Sequence, residues 1–131
     1  MDDSNNKREG VLCFLKRDNK VLLAKFDYGD DGLIWNGVSG FVEQGETNLA
    51  AAIREIKEEI GIEVKEGDLD FRGVIDISST LKLNVYILKK WLGEPTPLDH
   101  TIKEFCWYEI DKLPYEKMMP GNFEWLPKLL G

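Results

Sequence analysis

Three glutamates form the densest cluster of reactive side chains in the sequence, within the run R-E-I-K-E-E-I of residues 54–60. Apolar residues recur three and four positions apart around them, which predicts an amphipathic helix. At about 100° per residue, Glu55, Glu58 and Glu59 fall on one stripe beside the apolar face of that helix. Carboxylates at these spacings repel one another, and Mg²⁺ and Mn²⁺ prefer hard oxygen ligands. The stripe therefore predicts a divalent-cation site, with a solvated acidic face as the simpler alternative.

The helix that carries the stripe has clear signals at both ends. Thr47 is a typical N-cap residue, and Gly61 is a typical C-terminal stop. Arg54 is placed to pair with one of the carboxylates, whereas Lys57 lies on another face of the helix. At least two of the acids are therefore expected to lack a cation from the helix itself.

A longer pattern surrounds the stripe. Gly40, five residues, Glu46, seven residues and the run 54–62 spell G-x5-E-x7-R-E-U-x-E-E-x-G-U, where U is apolar. In this pattern the chain resembles the Nudix hydrolases, because every fixed position of the Nudix box is matched. A pattern of this length favours metal chemistry over a solvated acidic face. The resemblance implies an α/β fold, a single-domain Nudix-type α/β/α sandwich with a mixed β-sheet.

The resemblance also implies which residues bind the metal. Glu55, Glu58 and Glu59 are the expected ligands of Mg²⁺, with Mn²⁺ as a substitute. Gly40 is expected to lend its backbone carbonyl to the same ion. The ion would neutralise charge that develops as water attacks a phosphorus of the pyrophosphate.

A second set of roles follows for the residues that support the metal site. Glu46 and Arg54 are expected to form an orienting pair that holds the loop and the helix in register. The general base is the least defined residue, with Glu58 as first choice and Glu104 or Asp99 as alternatives. The implied catalytic set is Glu58, Glu55, Arg54 and Glu46.

Segments outside the box resemble one branch of the family, the mutator-type oxidised-purine nucleoside triphosphatases. The segments are Trp35-Asn36-Gly37 and residues 105–108, 113–115 and 118–127. Enzymes of this branch hydrolyse 8-oxo-dGTP and related nucleotides to the monophosphate and pyrophosphate. The resemblance implies contacts to the base from Asn36 and from Gly121 or Asn122. An amide side chain suits a purine edge because it offers both a donor and an acceptor.

The chain also departs from this branch in three places. Ser39-Gly40-Phe41 stands where many members have Gly-Gly-Lys, so a lysine contact to phosphate is lost. Met119 stands where vertebrate-like members have a tryptophan, and Gly121-Asn122 where they have two aspartates. These departures leave the preference for 8-oxo-dGTP open. Base stacking is then expected from an aromatic residue, with Phe26 as first choice and Tyr28, Phe123 and Trp125 as alternatives.

Each flanking residue also has a simpler interpretation. Asn36 is equally typical of a turn, and Asn122 of an N-cap for the last helix. The aromatic rings of Phe105, Trp107 and Trp125 are more typical of a core than of a base platform.

The remaining elements are predicted from local pattern. Residues 1–9 read as a flexible polar tail and residues 10–131 as one Nudix domain. The glycines within 33–42 predict a close backbone approach or an irregular turn. Proline at 127 is expected near the first turn of the last helix. The predicted strands are Gly10–Lys16, Lys20–Phe26, Leu33–Val42, Leu69–Ile77, Leu81–Lys89 and Ile102–Ile110, and the last helix is Phe123–Leu130.

Composition limits the classes of partner. The 24 acidic residues exceed the 17 basic ones, giving a net charge of −7, which disfavours nucleic acid polymers and anionic membranes. Cys13 and Cys106 lie far apart and only one histidine is present, which excludes a typical zinc site. Without an apolar targeting segment, the expectation is a cytoplasmic protein. It would act on a small-molecule nucleotide as a monomer or a homodimer.

The predicted function is a Mg²⁺-dependent pyrophosphohydrolase that cleaves nucleoside triphosphates, oxidised purine nucleotides such as 8-oxo-dGTP above all. Two alternatives remain open at this point. One is a Nudix hydrolase of another nucleotide-linked substrate, such as ADP-ribose, a dinucleotide or a pyrimidine triphosphate. The other is a non-catalytic Nudix module that binds a nucleotide.

Overall fold

The computed structural model describes residues 7–131, and its two helices lie on opposite sides of a sheet. Four short 3-10 turns complete this part of the chain. The strands are β1 (Arg8–Arg17), β2 (Lys20–Asp27), β3 (Leu33–Asn36), β4 (Val38–Phe41), β5 (Leu69–Asp76), β6 (Leu81–Leu88) and β7 (Ile102–Glu109), and the helices are α1 (Asn48–Ile60) and α2 (Asn122–Leu130).

The sheet is mixed and is organised around β1. This strand runs parallel to β6 and antiparallel to β4, and it meets β2 only at its last two residues, Lys16 and Arg17. Strand β5 extends the sheet beyond β6, while β2 carries β3 on one side and β7 on the other. Strand β4 therefore lies at an edge of the sheet, next to the start of α1 in the chain.

Alternate residues of β1 enter two separate cores. Val11, Cys13 and Leu15 are buried with the apolar face of α1, whereas Leu12 and Phe14 are buried with α2. This alternation follows from the two-residue period of a strand. One helix on each face of a mixed sheet confirms the predicted α/β/α sandwich.

Most predicted elements are found close to their expected bounds. The turn between β1 and β2 lies at Asp18, which has a φ of 56°. The Thr47 hydroxyl accepts a hydrogen bond from the Ala50 amide at the start of α1, and Gly61 ends the helix with a φ of 72°. Strand β1 begins at Arg8, two residues before its predicted start. The predicted tail falls mainly in residues 1–6, which lie outside the described residues.

The close backbone approach predicted within the stretch 33–42 is found at Gly37, which separates β3 from β4 and where a Cβ would lie 2.5 Å from the Cys13 carbonyl oxygen. Two local predictions require correction. Helix α2 begins at Asn122, and its N-cap is Gly121 rather than Asn122. The placement of Pro127 near the first turn was wrong, because it is the sixth residue of α2. Its ring is exposed, so it removes one helical hydrogen bond without entering the core. In residues 7–131, neither helix is long and apolar enough to cross a membrane.

Candidate functional site

The acidic stripe meets the sheet at Gly40. A Cβ built on Gly40 would lie 2.1 Å from the carboxyl carbon of Glu55, so any side chain larger than hydrogen would displace that carboxylate. The absence of a side chain at Gly40 lets α1 bring an acid directly onto the backbone of β4. The strand and the helix thus form one side of a site at the sheet edge.

Arg54 is the centre of a hydrogen-bond network that joins the loop to the helix. Its guanidinium donates to both Glu46 oxygens, through Nε at 2.8 Å and Nη2 at 2.9 Å. Nη1 donates to Glu55 at 2.7 Å, and to Glu58 at 3.4 Å. Nη2 also donates to the Phe41 carbonyl at 3.0 Å. Besides Glu46, Arg54 therefore reaches two acids of the helix, Glu55 and Glu58, where the helix spacing suggested one.

The network keeps Glu46 and Arg54 ionised. The Arg54 guanidinium and the Glu43 amide hold the pKa of Glu46 down at about 2. The same contacts, led by that with Glu46, raise the pKa of Arg54. The loop before α1 is thus tied to the helix by a bidentate ion pair, a geometry that gives orientation as well as energy.

Glu59 stands apart from this network. It is buried at 8% exposure, and its Oε2 is the buried side-chain oxygen without a hydrogen-bond partner in residues 7–131. Burial, and next the neighbouring carboxyl of Glu55, raise the pKa of Glu59 well above its usual range. A buried acid without a partner is costly to a fold unless a further group completes it.

These residues fit a divalent cation. Carboxylate and carbonyl oxygens at Glu55, Glu59 and Gly40 are the donor types that Mg²⁺ and Mn²⁺ prefer, and the lone Oε2 of Glu59 lacks any other partner. In the described part of the chain, no three His, Cys, Asp or Glu side chains are gathered closely enough to coordinate an ion. A cation would therefore compete with Arg54 for Glu55 and Glu58.

A cleft of about 550 Å³ opens on the other side of Gly40. It brings together Asn36, Ser39, Gly40 and Asn122, which lie on three elements of the fold, β3, β4 and α2. Most of the lining is apolar, as is typical of a pocket for a planar ligand with a few polar anchors. The cleft is lined by Leu12, Tyr28, Asp31, Ile34, Asn36, Ser39, Gly40, Phe41, Ile77, Leu81, Leu83, Met119, Pro120, Asn122 and Trp125.

The two asparagines differ in how free their amides are. The Asn36 side-chain oxygen accepts a hydrogen bond from the Gly37 amide at 2.9 Å, a contact typical of an asparagine in a turn. Asn122 is only 4% exposed, and its side chain makes no hydrogen bond within residues 7–131. Gly121, next to it, is the N-cap of α2 and is not among the lining residues. Asn122 is thus a buried residue of the cleft lining whose amide carries a donor and an acceptor.

The four aromatic candidates for base stacking differ in whether they line the cleft. Tyr28 and Trp125 line the cleft. Phe26 is buried at 3% exposure and stacks behind Tyr28, with ring centroids 5.8 Å apart. Phe123 is 62% exposed and points away from the lining.

The three candidates for general base differ in their contacts and exposure. The Asp99 amide donates to the Glu59 carbonyl at 3.3 Å, which places Asp99 beside the buried acid. Hydrogen bonds from the Thr101 amide and hydroxyl keep the pKa of Asp99 below its ordinary value. Glu104 forms an ion pair with Lys25 on the β2–β7 side of the sheet. Glu58 is 60% exposed and contacts Arg54.

The sequence reasoning missed one wall of the cleft. Ile77, Leu81 and Leu83 line it from the turn between β5 and β6. The alternation of β6 was visible in the sequence, but which of its faces meets a ligand depends on how β1 and β4 pair. The structure adds one sign of this wall that the sequence does not contain: the apolar side chain of Ile77 is 44% exposed.

A larger groove, of about 770 Å³, lies elsewhere on the surface. Its lining includes Arg17, Lys89 and Trp91, but none of the box acids and none of the predicted contacts to a base. We therefore place the candidate active site at the smaller cleft, because Gly40, which lies against the Glu55 carboxyl group, lines it together with Asn36 and Asn122.

Comparison with known proteins identifies the family. The family described as the NUDIX domain matches residues 6–129. The oxidized purine nucleoside triphosphate hydrolase of Danio rerio is 31% identical over 124 residues, covering 92% of this chain and 78% of that protein. The dihydroneopterin triphosphate diphosphatase of Escherichia coli K12 is 33% identical over 109 residues, covering 83% and 67%. The crystal structure of a MutT NUDIX hydrolase from Burkholderia pseudomallei superposes with a TM-score of 0.74 at 26% identity, covering 82% of this chain and 87% of that one.

Proposed function

Because the chain belongs to the Nudix hydrolase family, we propose that it cleaves nucleoside triphosphates to the monophosphate and pyrophosphate in a Mg²⁺-dependent reaction. Oxidised purine nucleotides such as 8-oxo-dGTP are the preferred substrates in this proposal. The observation that carries it is the place of Gly40, which lies against the Glu55 carboxyl group on one side and lines the cleft with the buried residue Asn122 on the other. Close by on the same helix as Glu55, the Oε2 of Glu59 is buried without a hydrogen-bond partner in residues 7–131.

The acidic end would hold the metal through Glu55, Glu58, Glu59 and the Gly40 carbonyl. When bound, the ion would neutralise charge on the phosphate oxygens as the phosphoanhydride breaks. Glu46 and Arg54 position this end, since their bidentate contact fixes the loop before α1 against the helix. Supporting contacts of this kind orient ligands that would otherwise be loose.

The proton of the attacking water needs an acceptor. Glu58 is our proposed general base because it is exposed and belongs to the stripe. Asp99 is the alternative, because it adjoins Glu59. Glu104 is less suited, since its carboxylate is paired with Lys25.

The amide end would select the base. Asn122 is proposed to pair with the purine edge, assisted by the Asn36 amide nitrogen, which the turn at Gly37 leaves free. A buried amide discriminates strongly because a base that cannot pair with it leaves it unsatisfied. Tyr28 and Trp125 replace Phe26 as the proposed stacking residues, since they line the cleft.

The cellular role in this proposal is removal of oxidised nucleotides from the nucleotide pool. That role needs a small-molecule substrate and no nucleic acid polymer or membrane, in agreement with the net charge of −7. We propose a cytoplasmic monomer or homodimer.

A product assay tests the proposal. The protein would be incubated with 8-oxo-dGTP, dGTP, the other ordinary triphosphates and ADP-ribose, with Mg²⁺ and with a chelator, and the products separated by anion exchange. We expect 8-oxo-dGMP and pyrophosphate, formed only with metal. ADP-ribose cleaved in preference to every triphosphate would contradict the proposed substrate, and saturable nucleotide binding without any product would indicate a non-catalytic module.

A second candidate substrate is a pterin triphosphate. The observation in its favour is the 33% identity to the dihydroneopterin triphosphate diphosphatase of Escherichia coli. A pterin presents adjacent donors and acceptors that an asparagine amide reads in the same way as those of a purine. Adding dihydroneopterin triphosphate to the panel separates the two candidates by their kcat/KM values.

A further inference from the structure

Among residues 7–131, the lining of the cleft carries no positive charge. Neither lysine nor arginine is among the residues that line it, and its charged lining residue is Asp31. Arg54 is the nearest cation of the box, but Glu46, Glu55 and Glu58 already occupy its donors. A polyphosphate that enters beside these acids therefore needs another cation besides the metal.

Arg8 lies where such a cation would be needed. Its guanidinium carbon is 3.6 Å from the centre of the Phe41 ring. Phe41 follows Gly40 and lines the cleft at its acidic end. In the strand pairing, Gly10 faces Phe41, so Arg8 is the diagonal neighbour of that ring.

The alternation of β1 turns Arg8 towards the cleft. Arg8, Gly10 and Leu12 lie on one face of the strand, and Leu12 lines the cleft. Gly10 leaves no side chain between Arg8 and Leu12 on this face. A Cβ at Gly10 would lie 2.8 Å from Leu83 and 3.0 Å from the Gly40 carbonyl oxygen. The Arg8 amide also donates to the Thr80 carbonyl at 2.7 Å, which anchors it beside the β5–β6 turn at the rim.

The charge of Arg8 is available. Within residues 7–131 its side chain forms no ion pair and no hydrogen bond, whereas the neighbouring Lys7 is 2.8 Å from Asp76 and Lys82 is 3.7 Å from Glu9. Stacking on an aromatic ring fixes the plane of a guanidinium and leaves its N–H groups free at the edge. Such an edge matches phosphate oxygens in a bidentate manner.

We propose that Arg8, held on the ring of Phe41, is a substrate-binding residue that contacts the polyphosphate of the nucleotide. This inference rests on the proposed function, because it concerns the same cleft. It assigns the phosphate contact to β1, outside the Nudix box.

Steady-state kinetics of Arg8→Gln, Arg8→Lys and Lys82→Gln test the proposal. Lys82 is a matched control, because it lies on β6 one residue after Leu81, the strand partner of Arg8. Its side chain is on the opposite face of β6 from Leu81 and Leu83, which line the cleft. For Arg8→Gln we expect KM for the triphosphate to rise about tenfold with kcat nearly unchanged. Arg8→Lys should recover part of the loss, and Lys82→Gln should behave as the wild type.

Inhibition by a nucleoside and by inorganic pyrophosphate separates a phosphate contact from a packing role. Arg8→Gln should weaken pyrophosphate about tenfold and leave the nucleoside unchanged. Equal weakening of both ligands, or no change relative to Lys82→Gln, would overturn the proposal. A wild-type protein that cleaves no triphosphate would refute the proposed function instead, and Arg8 would then be judged by calorimetric binding of pyrophosphate to the wild type and to Arg8→Gln.

Discussion

The two ends of the cleft are built in opposite ways. At the acidic end, Arg54 donates hydrogen bonds to Glu46, Glu55, Glu58 and the Phe41 carbonyl, so the position of each group is fixed by others. At the amide end, Asn122 has no hydrogen-bond partner within residues 7–131 and most of its surroundings are apolar. In the proposed function, the rigid acidic end sets the reaction geometry, and base selection falls to a few sparsely bonded groups.

The largest effect is expected from removing a metal ligand at the rigid end. Glu58→Gln should lower kcat/KM by about a thousandfold, because a metal-binding carboxylate contributes several kcal/mol to the transition state. Steady-state assays with Mg²⁺ would measure it. Lys57→Gln is the control, since Lys57 is exposed and its partner Glu63 lies 3.9 Å away. If Glu58→Gln kept full activity with the fold intact, the assignment of the metal site would be wrong.

A smaller effect is expected from loosening the network without removing a ligand. Arg54→Lys keeps the charge but loses the two parallel hydrogen bonds to Glu46. We expect kcat to fall about 10- to 100-fold, as is typical when a supporting contact is lost. Glu43→Gln is the matched control, because Glu43 is exposed and only 3.8 Å from Arg54. An equal loss in both variants would show that general electrostatics, and not orientation, accounts for the effect.

At the amide end, a substitution should change selectivity more than rate. Asn122→Ala should lower the preference for 8-oxo-dGTP over dGTP about tenfold, because it removes a desolvated hydrogen-bonding group. The reaction products and the metal requirement should stay the same. Phe123→Ala serves as the control, since its ring is 62% exposed and outside the cleft. A uniform loss for every substrate would show that Asn122 supports α2 instead of reading the base.

The smallest effect concerns the pH dependence of stability. The pKa of Glu46 lies at about 2 in the folded protein, below its ordinary value of 4.5. Its ionised form therefore stabilises the fold above about pH 4.5, and this contribution disappears as the pH falls from 4.5 to 2. The difference in Tm between the wild type and Glu46→Gln should shrink across that range. A difference that stays constant down to pH 2 would mean that the Arg54 contact does not stabilise the ionised carboxylate.

The same contrast explains which parts of the site could be predicted from the sequence. The acidic end lies on a continuous stretch, residues 40–59, whose helix has the expected caps at Thr47 and Gly61. Spacing along one loop and one helix was therefore enough to place Glu55, Glu58 and Glu59 on one stripe. The burial of Glu59 was not evident in the sequence, because it depends on packing against Asp99 and its loop.

The amide end draws on segments that are distant in the chain. Asn36, Leu83 and Asn122 meet only because β1 runs parallel to β6 and α2 covers that face. No local pattern in the sequence indicates that these segments meet. Phe26 was therefore chosen over Tyr28 for stacking without knowledge of which ring faces the cleft. The position of Pro127 was missed for a related reason, since its tolerance in α2 depends on the outward direction of its ring.

The central claim is that the acidic end fixes the reaction while the amide end selects an oxidised purine. A competition assay tests it most directly: 8-oxo-dGTP and dGTP are mixed at equal concentration with Mg²⁺, and the ratio of the two monophosphates gives the ratio of kcat/KM. We predict a ratio of about ten or more in favour of 8-oxo-dGTP, with pyrophosphate released from both. A ratio near one, or a product other than pyrophosphate, would contradict the account.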